Sequence, residues 1–347
     1  MYHSHLLINT GDNPDRVDWQ RTRSWLRNLY RVHQRLCMAF PDKDKALAGR
    51  SETERFAEYC KPFQPPSGPD AFATTEDEPG DVHTPRNGER GFLYRIDYPV
   101  LGSVRKPGVR WKSKRKSGNP VLGSVRKPVI LVQSAARPDW DYAFGLNTDS
   151  DRKQKAVHGN ADFLLAAPPQ VREVNFDASD DKLVLRAGEI AHEAKRDDQL
   201  WFILRANVVE TRTENGRKTR HRLRIDDEIL KSGDAQKVEQ ARREVHLNWL
   251  RKKLEGAATL VEKTLDNPKR DHPFIETGWA HASRGEYDKG AKADKSEMQW
   301  WSVTYSGRLI LKDPEKLRAL LLSGIGPAKG FGFGLLSVGP VKEKSEA

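Results

Sequence analysis

The stretch Gly324-Ile-Gly-Pro-Ala-Lys-Gly-Phe-Gly-Phe-Gly-Leu-Leu336 is the part of this sequence that says most about its fold. Glycine carries no Cβ atom, so a segment this rich in glycine allows its backbone to pass very close to another surface. Its glycines are Gly324, Gly326, Gly330, Gly332 and Gly334. A phosphate-binding P-loop instead ends in Gly-Lys followed by Ser or Thr, and it connects a strand to a helix. This segment has neither feature, and we therefore do not expect nucleotide hydrolysis.

Hydrophobic patterns outside this segment predict several strands and helices. Pro41 would end the first helix, while Asp234 and Gly256 are suited to begin and end the second. The predicted strands are Tyr2–Ile8, Gly91–Tyr98, Val129–Ser134, Leu183–Leu185, Gln199–Arg205 and, around a turn at Ser306-Gly307, Trp300–Ile310. The predicted helices are about Asp18–Phe40, Asp234–Gly256 and Pro314–Leu322.

The order of these elements predicts an α+β fold of two modules, each with helices packed on one face of an antiparallel sheet. A tandem ferredoxin-like arrangement fits this order. We expect an N-terminal domain over residues 1–195, with insertions at about 42–90 and 99–127. A C-terminal domain would occupy residues 196–347 and contain the glycine-rich segment.

The composition favours a polyanionic partner. The formal net charge is +11, and 31% of the residues are charged. Such a charge suits RNA, DNA or an anionic membrane surface. No apolar run approaches the ~20 residues that span a bilayer, and the N-terminus lacks the pattern of a signal peptide. Since no stretch is long enough to span a bilayer, we expect no membrane partner. Cys37 and Cys60 form no C-x-x-C pair or disulfide framework, so we expect a reducing cytoplasm as the location.

A perfect repeat adds a second basic feature. Pro-Val-Leu-Gly-Ser-Val-Arg-Lys-Pro occurs at Pro99–Pro107 and again at Pro120–Pro128. Residues 99–127 hold nine Lys or Arg and no Asp or Glu. This stretch is either a duplicated, solvated loop or an additional nucleic-acid contact, in which Trp111 would stack on a base.

A basic hairpin is predicted around Asn215-Gly216, because Asn-Gly favours a tight type I′ turn. Its arms would run back to Arg205 and forward to Ile225. Cations alternate along the forward arm, at a spacing of ~6.6 Å that suits a phosphate backbone. They are Lys218, Arg220, Arg222 and Arg224. The alternative is an edge strand that charge protects from aggregation. Lys252 and Lys253 are either a solvated helix end or an extension of this basic surface.

Tyr30 and His33 are candidates for acid–base chemistry. They lie three residues apart on a predicted helix and therefore share a face, near Cys37 and with Arg31 alongside. A tyrosine and a histidine beside cations suit proton transfer at a phosphate. A histidine with a purely structural role is the alternative. His3 and His5 have no third ligand nearby in sequence, so we expect no metal site.

Together these residues resemble the CasE family, the CRISPR repeat-processing endoribonucleases of type I-E systems. The resemblance covers both ends and the core strands, and the glycine-rich segment matches most closely. Residues 42–90, 99–127 and 140–195 look like insertions relative to compact family members. The matching segments are Met1-Tyr2 with Ser4, Leu29–Leu36 running on to Phe40-Pro41, Leu204-Arg-Ala-Asn207, Trp249–Leu254, Gly324–Lys329 and Gly332–Ser337.

The resemblance implies two ferredoxin-like domains of the RAMP type with large loop insertions. It also implies metal-independent, cofactor-free cleavage of CRISPR precursor RNA at the base of the repeat hairpin. The ribose 2′-OH would attack the phosphate, leaving a 2′,3′-cyclic phosphate and a 5′-OH. The protein would then remain bound to the RNA as a subunit of the RNA-guided surveillance complex that serves antiviral defence.

The family's catalytic tyrosine and histidine fall on Tyr30 and His33. His33 would act as general base or acid, Tyr30 would position the ribose or assist proton transfer, and Arg31 or Lys329 would stabilise charge on the phosphate. The expected RNA-binding residues are Arg31, Lys218, Arg220, Arg222, Arg224, Lys252, Lys253 and Lys329. A non-catalytic RNA-binding subunit of the same complex, or a basic protein that binds duplex DNA, are the alternatives.

Deletion of residues 99–127 is expected to leave RNA cleavage intact and to change RNA binding or complex assembly, because the deleted stretch lies outside every family motif. Cleavage assays and gel shifts on the wild type and the deletion would measure the two effects. A folded deletion variant that no longer cleaves RNA would contradict this prediction.

Overall fold

A computed structural model describes residues 1–9, 16–40, 91–97, 128–146, 161–214, 217–262, 273–283 and 297–341. The predicted insertion at 42–90, the repeat at 99–127 and the Asn215-Gly216 turn lie outside these residues.

The N-terminal module is a six-stranded sheet covered by short helices. Its elements are β1 (Tyr2–Leu7), α1 (Arg16–Arg27), α2 (Leu29–Cys37), β2 (Phe92–Asp97), β3 (Val129–Ser134), α3 (Trp140–Phe144), β4 (Gln170–Ala178), β5 (Lys182–Ala187) and β6 (Ile190–Lys195). The strand order is β2-β3-β1-β4-β5-β6, and neighbouring strands are antiparallel. The first four strands and their helical crossovers have the βαββαβ topology of the ferredoxin-like fold.

The C-terminal module repeats this topology. Its elements are β7 (Gln199–Asn207), β8 (Val209–Glu214), β9 (Arg217–Arg222), α4 (Asp227–Lys231), α5 (Ala235–Leu254), β10 (Ala258–Leu260), β11 (Phe274–Ser283), β12 (Glu297–Leu311), α6 (Pro314–Ser323) and β13 (Leu336–Pro340). The sheet order is β10-β12-β7-β13, and β11 also pairs with β12. The predicted α+β fold of tandem ferredoxin-like modules with antiparallel sheets is confirmed.

One face of each sheet is buried beneath helices. Along β7, Phe202, Leu204 and Ala206 are buried and pack against the α5 side chains Leu250 and Leu254. The strand's alternate residues point to the other face. The predicted α5 boundaries also hold, because the Asp234 side chain accepts hydrogen bonds from the backbone N–H groups of Gln236 and Lys237, and Gly256 has φ +74°.

The prediction of one helix from about Asp18 to Phe40 is wrong. The chain forms α1 and α2 with a break at Asn28, whose backbone is extended at φ −103° and ψ 96°. The Asn28 side chain accepts a hydrogen bond from the backbone N–H of Tyr30, and so it begins a new helix rather than continuing the first. The Asn28 backbone also bridges His281 on β11.

The prediction of a turn at Ser306-Gly307 is also wrong, because β12 runs unbroken from Glu297 to Leu311. Gly307 pairs with Phe202 across the sheet. A Cβ atom on Gly307 would lie 2.9 Å from Pro273 Cβ. This glycine therefore permits close packing and does not make a turn.

Two further sequence expectations need correction. Residues 140–195 are not wholly an insertion, because β4 (Gln170–Ala178) pairs directly with β1 and completes the ferredoxin-like sheet. The basic hairpin is shorter than predicted and is limited to β8 and β9, which pair from Val209–Arg222 to Glu214–Arg217. Arg205 belongs to β7, and Arg224 lies beyond the end of β9.

A buried arginine connects the two modules. Arg95 on β2 is 2% exposed and forms an ion pair with Asp97. Its guanidinium also donates to the carbonyl of Ile203 at 3.0 Å and to the carbonyl of Leu335 at 2.9 Å. Ser337 Oγ accepts a further bond at 3.0 Å. Because an unsatisfied buried charge is costly, these acceptors fix β2 against β7 and β13.

The glycine-rich segment lies directly on β2. A Cβ atom on Gly332 would be 2.9 Å from the Tyr94 ring, and one on Gly324 would be 2.9 Å from Leu93. Both glycines have positive φ, +79° and +71°. Phe333, which follows Gly332, is buried in the core of the N-terminal module. The backbone of the segment therefore passes very close to another surface, as its glycine content predicts, and that surface belongs to the other module.

Gly332→Ala is expected to lower the free energy of unfolding by about 1–3 kcal/mol, because the new methyl group meets Tyr94 at a positive φ. Gly339→Ala is the matched control, since no atom lies within 4 Å of its added Cβ. Urea titrations of both variants would measure the difference. Equal stability of the two variants would contradict the close approach of Gly332 to Tyr94.

Candidate active site

His33 lies in an aromatic pocket on α2. Its side chain is only 7% exposed. The imidazole stacks against Phe92 of β2, with ring centroids 6.0 Å apart, and lies 5.6 Å from the ring of Phe331 in the glycine-rich segment. Both modules therefore contribute to the surroundings of this histidine.

Cys37 adds a polar contact to this pocket. Its Sγ atom lies 3.4 Å from His33 Nε2 and 4.0 Å from Nδ1. The two residues are four apart on α2, the spacing at which helix side chains meet. The half-buried thiol of Cys37 therefore contacts one edge of the imidazole.

Tyr30 occupies the first turn of α2, one turn before His33. Its backbone N–H is held by Asn28, and its half-buried side chain packs against the N-terminal core. Arg31 is exposed, while its backbone carbonyl accepts a hydrogen bond from the indole N–H of Trp25. The break between α1 and α2 thus fixes where the helix with the candidate catalytic residues begins.

The glycine-rich segment positions Lys329 and Phe331 beside α2. Lys329–Phe331 form a single 3-10 turn between two left-handed residues, Ala328 at φ +61° and Gly332 at φ +79°. Phe331 also stacks on Trp300 of β12, with centroids 4.5 Å apart. The half-buried Lys329 therefore belongs to the same turn as Phe331, the residue that contacts His33.

Lys329 lies within electrostatic reach of the last turn of α5. Burial, followed by the positive charge of Lys253, lowers the pKa of Lys329. Lys252 and Lys253 are both exposed, and Lys253 Nζ lies 5.9 Å from the ring centroid of Trp249. Two of the predicted RNA-binding lysines, Lys253 and Lys329, therefore lie near one another, where the last turn of α5 meets the glycine-rich segment.

The cations of the hairpin do not form a uniform row. Arg220 and Arg224 are exposed. Arg222 is also exposed, but its guanidinium carbon lies 3.7 Å from the ring centroid of Trp301 and 5.2 Å from that of Trp279. The side chain of Lys218 lies outside the described residues.

The predicted absence of a metal pair at His3 and His5 stays a prediction. His3 Nε2 lies 3.0 Å from Gln133 Oε1, and its ring packs edge-on against Phe176. Burial is the largest cause of a lowered pKa for both histidines. Among the described residues, no group of three or more His, Cys, Asp or Glu side chains is placed to hold a metal ion.

Sequence reasoning missed the aromatic residues around both candidate sites. Phe92 and Phe331 cover His33, while Trp279 and Trp301 contact Arg222. Phe331 can be recognised within the glycine-rich segment, but nothing in the spacing of that segment indicates which helix this side chain contacts. These contacts depend on strand register, because Trp279 and Trp301 are direct partners in the β11–β12 pair.

The sequence matches the model of a family described as "CRISPR associated protein" over residues 78–340. The CRISPR system Cascade subunit CasE of Escherichia coli K12 is 29% identical over 159 residues, which are 46% of this chain and 66% of that protein. The CRISPR-associated endoribonuclease Cse3 of Thermus thermophilus is 49% identical over 43 residues, which are 12% of this chain and 20% of that protein. The matched stretches therefore span less than two thirds of either relative.

Solved structures of similar proteins include a CRISPR endoribonuclease Cse3 bound to a 19-nucleotide RNA. Its TM-score is 0.47 at 21% identity, covering 98% of this chain and 99% of that one. Cas6e from Escherichia coli K-12 has a TM-score of 0.40 at 19% identity, covering 98% and 100%. Within the described part of the chain, no helix is long and apolar enough to cross a membrane.

Lys253→Gln is expected to raise the pKa of Lys329, because it removes a nearby positive charge that disfavours the ammonium form. The pKa should stay below the ordinary value for lysine, since burial is the larger cause and is unchanged. Titration of ¹³C-labelled lysine side chains by NMR would measure the shift. Lys252→Gln is the control, and an equal or larger shift in that variant would contradict the assignment to Lys253.

Proposed function

This chain belongs to the CRISPR associated protein family, and we propose that it is an endoribonuclease that cleaves CRISPR precursor RNA at the base of the repeat hairpin. The predicted resemblance to the CasE family is confirmed. The observation that carries the proposal is the packing of the glycine-rich turn on α2, which joins Phe331 and Lys329 to the helix of Tyr30 and His33. The name of one relative, a CRISPR-associated endoribonuclease, supports the same activity, and the name of the other, a Cascade subunit, supports a place in a complex.

The proposed reaction is an internal transfer of the phosphoryl group. The ribose 2′-oxygen forms a bond to phosphorus and gives up its proton to a base, and the bond from phosphorus to the 5′-oxygen breaks as that oxygen receives a proton. The products are a 2′,3′-cyclic phosphate and a 5′-OH. Because the nucleophile belongs to the RNA, this chemistry needs no metal ion.

Each candidate residue has a role that its chemistry supports. His33 transfers a proton as base or acid, since a neutral imidazole has one nitrogen that accepts a proton and one that donates it. Tyr30, one helical turn away, positions the ribose or assists that transfer. Lys329 or Arg31 stabilises the charge that develops on the phosphate. A partly desolvated cation such as Lys329 acts more strongly on a phosphate than one in bulk water.

The burial of His33 places a condition on this proposal. With 7% of the side chain exposed and Phe331, Phe92 and Cys37 around the ring, the proposal requires one of these neighbours, for example Phe331, to move before a phosphate reaches the imidazole. The turn that carries Phe331 is bounded by two residues with left-handed backbone. Lys329 belongs to the same turn, so its movement would also reposition this cation.

RNA binding is proposed for the exposed cations of the hairpin and of α5. Side chains cannot easily read the deep, narrow major groove of A-form RNA, so recognition depends on phosphates and shape. Arg220, Arg224, Lys252 and Lys253 offer exposed charges for this purpose. We further propose that the protein is cytoplasmic and stays on its RNA product as a subunit of a surveillance complex.

A non-catalytic RNA-binding subunit is the second candidate function, and the burial of His33 favours it. A histidine enclosed by Phe92, Phe331 and Cys37 is well suited to a purely structural role. The two candidates differ in one result, which is whether the protein cleaves RNA through His33.

His33→Ala is expected to slow cleavage of a repeat-hairpin RNA in EDTA by about 10²–10⁴-fold, because it removes the proton-transfer group. The dissociation constant should change little, since the proposed phosphate contacts lie elsewhere. Single-turnover cleavage and filter binding would measure the two quantities, and thermal melting would check the fold. His192→Ala, on the edge strand β6, is the matched control. Undiminished cleavage by a folded His33→Ala protein would eliminate the catalytic role.

A further inference from the structure

The basic hairpin has little support from the rest of the sheet structure. β8 and β9 pair only with one another among the described strands. A two-stranded hairpin is marginally stable by itself in water. Its orientation must therefore be set where it joins the module, at the pair formed by Val209 and Arg222.

One side of this root pair is held by α5. The indole N–H of Trp249 donates to the backbone carbonyl of Val209 at 3.0 Å. Trp249 is 6% exposed and stacks on Tyr305 of β12, with ring centroids 6.4 Å apart and planes 6° apart. Since this tryptophan belongs to the core, β8 begins from a fixed point.

The other side is held by two tryptophans of the sheet. The guanidinium of Arg222 stacks on Trp301, at 3.7 Å from the ring centroid, and lies near Trp279 at 5.2 Å. Cation–π contacts of this kind are stronger where the cation is partly desolvated. The pKa of Arg222 is lowered by burial and by Arg242, which agrees with an arginine turned toward the protein.

His246 of α5 orients the tryptophan on which Arg222 stacks. The indole N–H of Trp301 donates to His246 Nε2 at 3.4 Å. Burial, with Arg242 and Arg222 nearby, lowers the pKa of His246 to about 4, so near neutral pH the imidazole is uncharged and accepts this bond. Trp279 meets Trp301 edge-on, at a centroid distance of 5.2 Å.

We propose that the Val209–Arg222 pair is a clamp that sets the direction of the hairpin, with Trp249 holding β8 and Trp301 and Trp279 holding β9. Arg222 is then a positioning residue, whereas Arg220, two residues nearer the turn, contacts phosphate. The use of the hairpin for RNA rests on the proposed function. The clamp itself is a property of the protein without RNA.

Hydrogen exchange of the RNA-free protein tests the clamp directly. In Trp301→Leu and Arg222→Met, backbone amides of β8 and β9 should exchange about tenfold faster than in the wild type, because loss of the stacking favours opening of the hairpin. Trp301→Phe, which keeps an aromatic face, should restore most of the protection. Arg220→Met is the matched control and should exchange like the wild type. Unchanged exchange in both Trp301→Leu and Arg222→Met would overturn the clamp, whether or not the protein binds RNA.

RNA binding then separates positioning from phosphate contact. Arg220→Met should reduce the slope of log K against log salt by about 0.7–0.9, the effect of one lost phosphate contact. Trp301→Leu should weaken binding without changing the slope, because its cost is the opening of the hairpin in the free protein and the bound state keeps the Arg220 contact. The rate of cleavage at saturating RNA should then match the wild type. A slope reduced by the same amount in Trp301→Leu would overturn the proposal. If the wild type itself does not bind the hairpin RNA, the proposed function fails while the exchange result still decides the clamp.

Discussion

The backbone of the glycine-rich segment lies against β2 at a distance that excludes a side chain, and this close approach determines how the two modules meet. Gly332 leaves room for the ring of Tyr94, and Gly324 leaves room for Leu93. Beside this contact, Arg95 extends from β2 to carbonyl groups of the other module. A buried guanidinium needs all of its acceptors, so the relative position of the two sheets has little freedom.

The candidate active site follows from this contact. The turn that crosses β2 delivers Phe331 to His33, and Lys329 belongs to the same turn. His33 is contributed by one ferredoxin-like module and its cover by the other. A displacement of the glycine-rich segment would therefore change stability and access to the histidine together, which links the packing of the modules to the proposed chemistry.

One arginine in each module holds separate elements of the protein together. Arg95 and Arg222 are both turned toward protein, one to carbonyl oxygens and the other to an indole ring. In each case the arginine connects elements that lack continuous sheet pairing. The sequence presents Arg222 as one member of an alternating series of cations. The structure separates it from Arg220 and Arg224, because its guanidinium lies on the tryptophans of the sheet.

The sequence alone was sufficient for the two α+β modules, the ends of α5 and α6, the net positive charge and the family resemblance, because composition, periodicity, capping residues and motifs can be read without the tertiary structure. It was insufficient at Asn28, Gly307 and the strands β4 and β11. There, a side-chain cap, a close packing contact and pairing between distant strands decided the outcome. The glycine-rich segment was recognisable from its residues, but its partners were not. Which surface a backbone approaches depends on residues that are distant in sequence, and only the tertiary structure brought Gly332 to Tyr94 and Phe331 to His33.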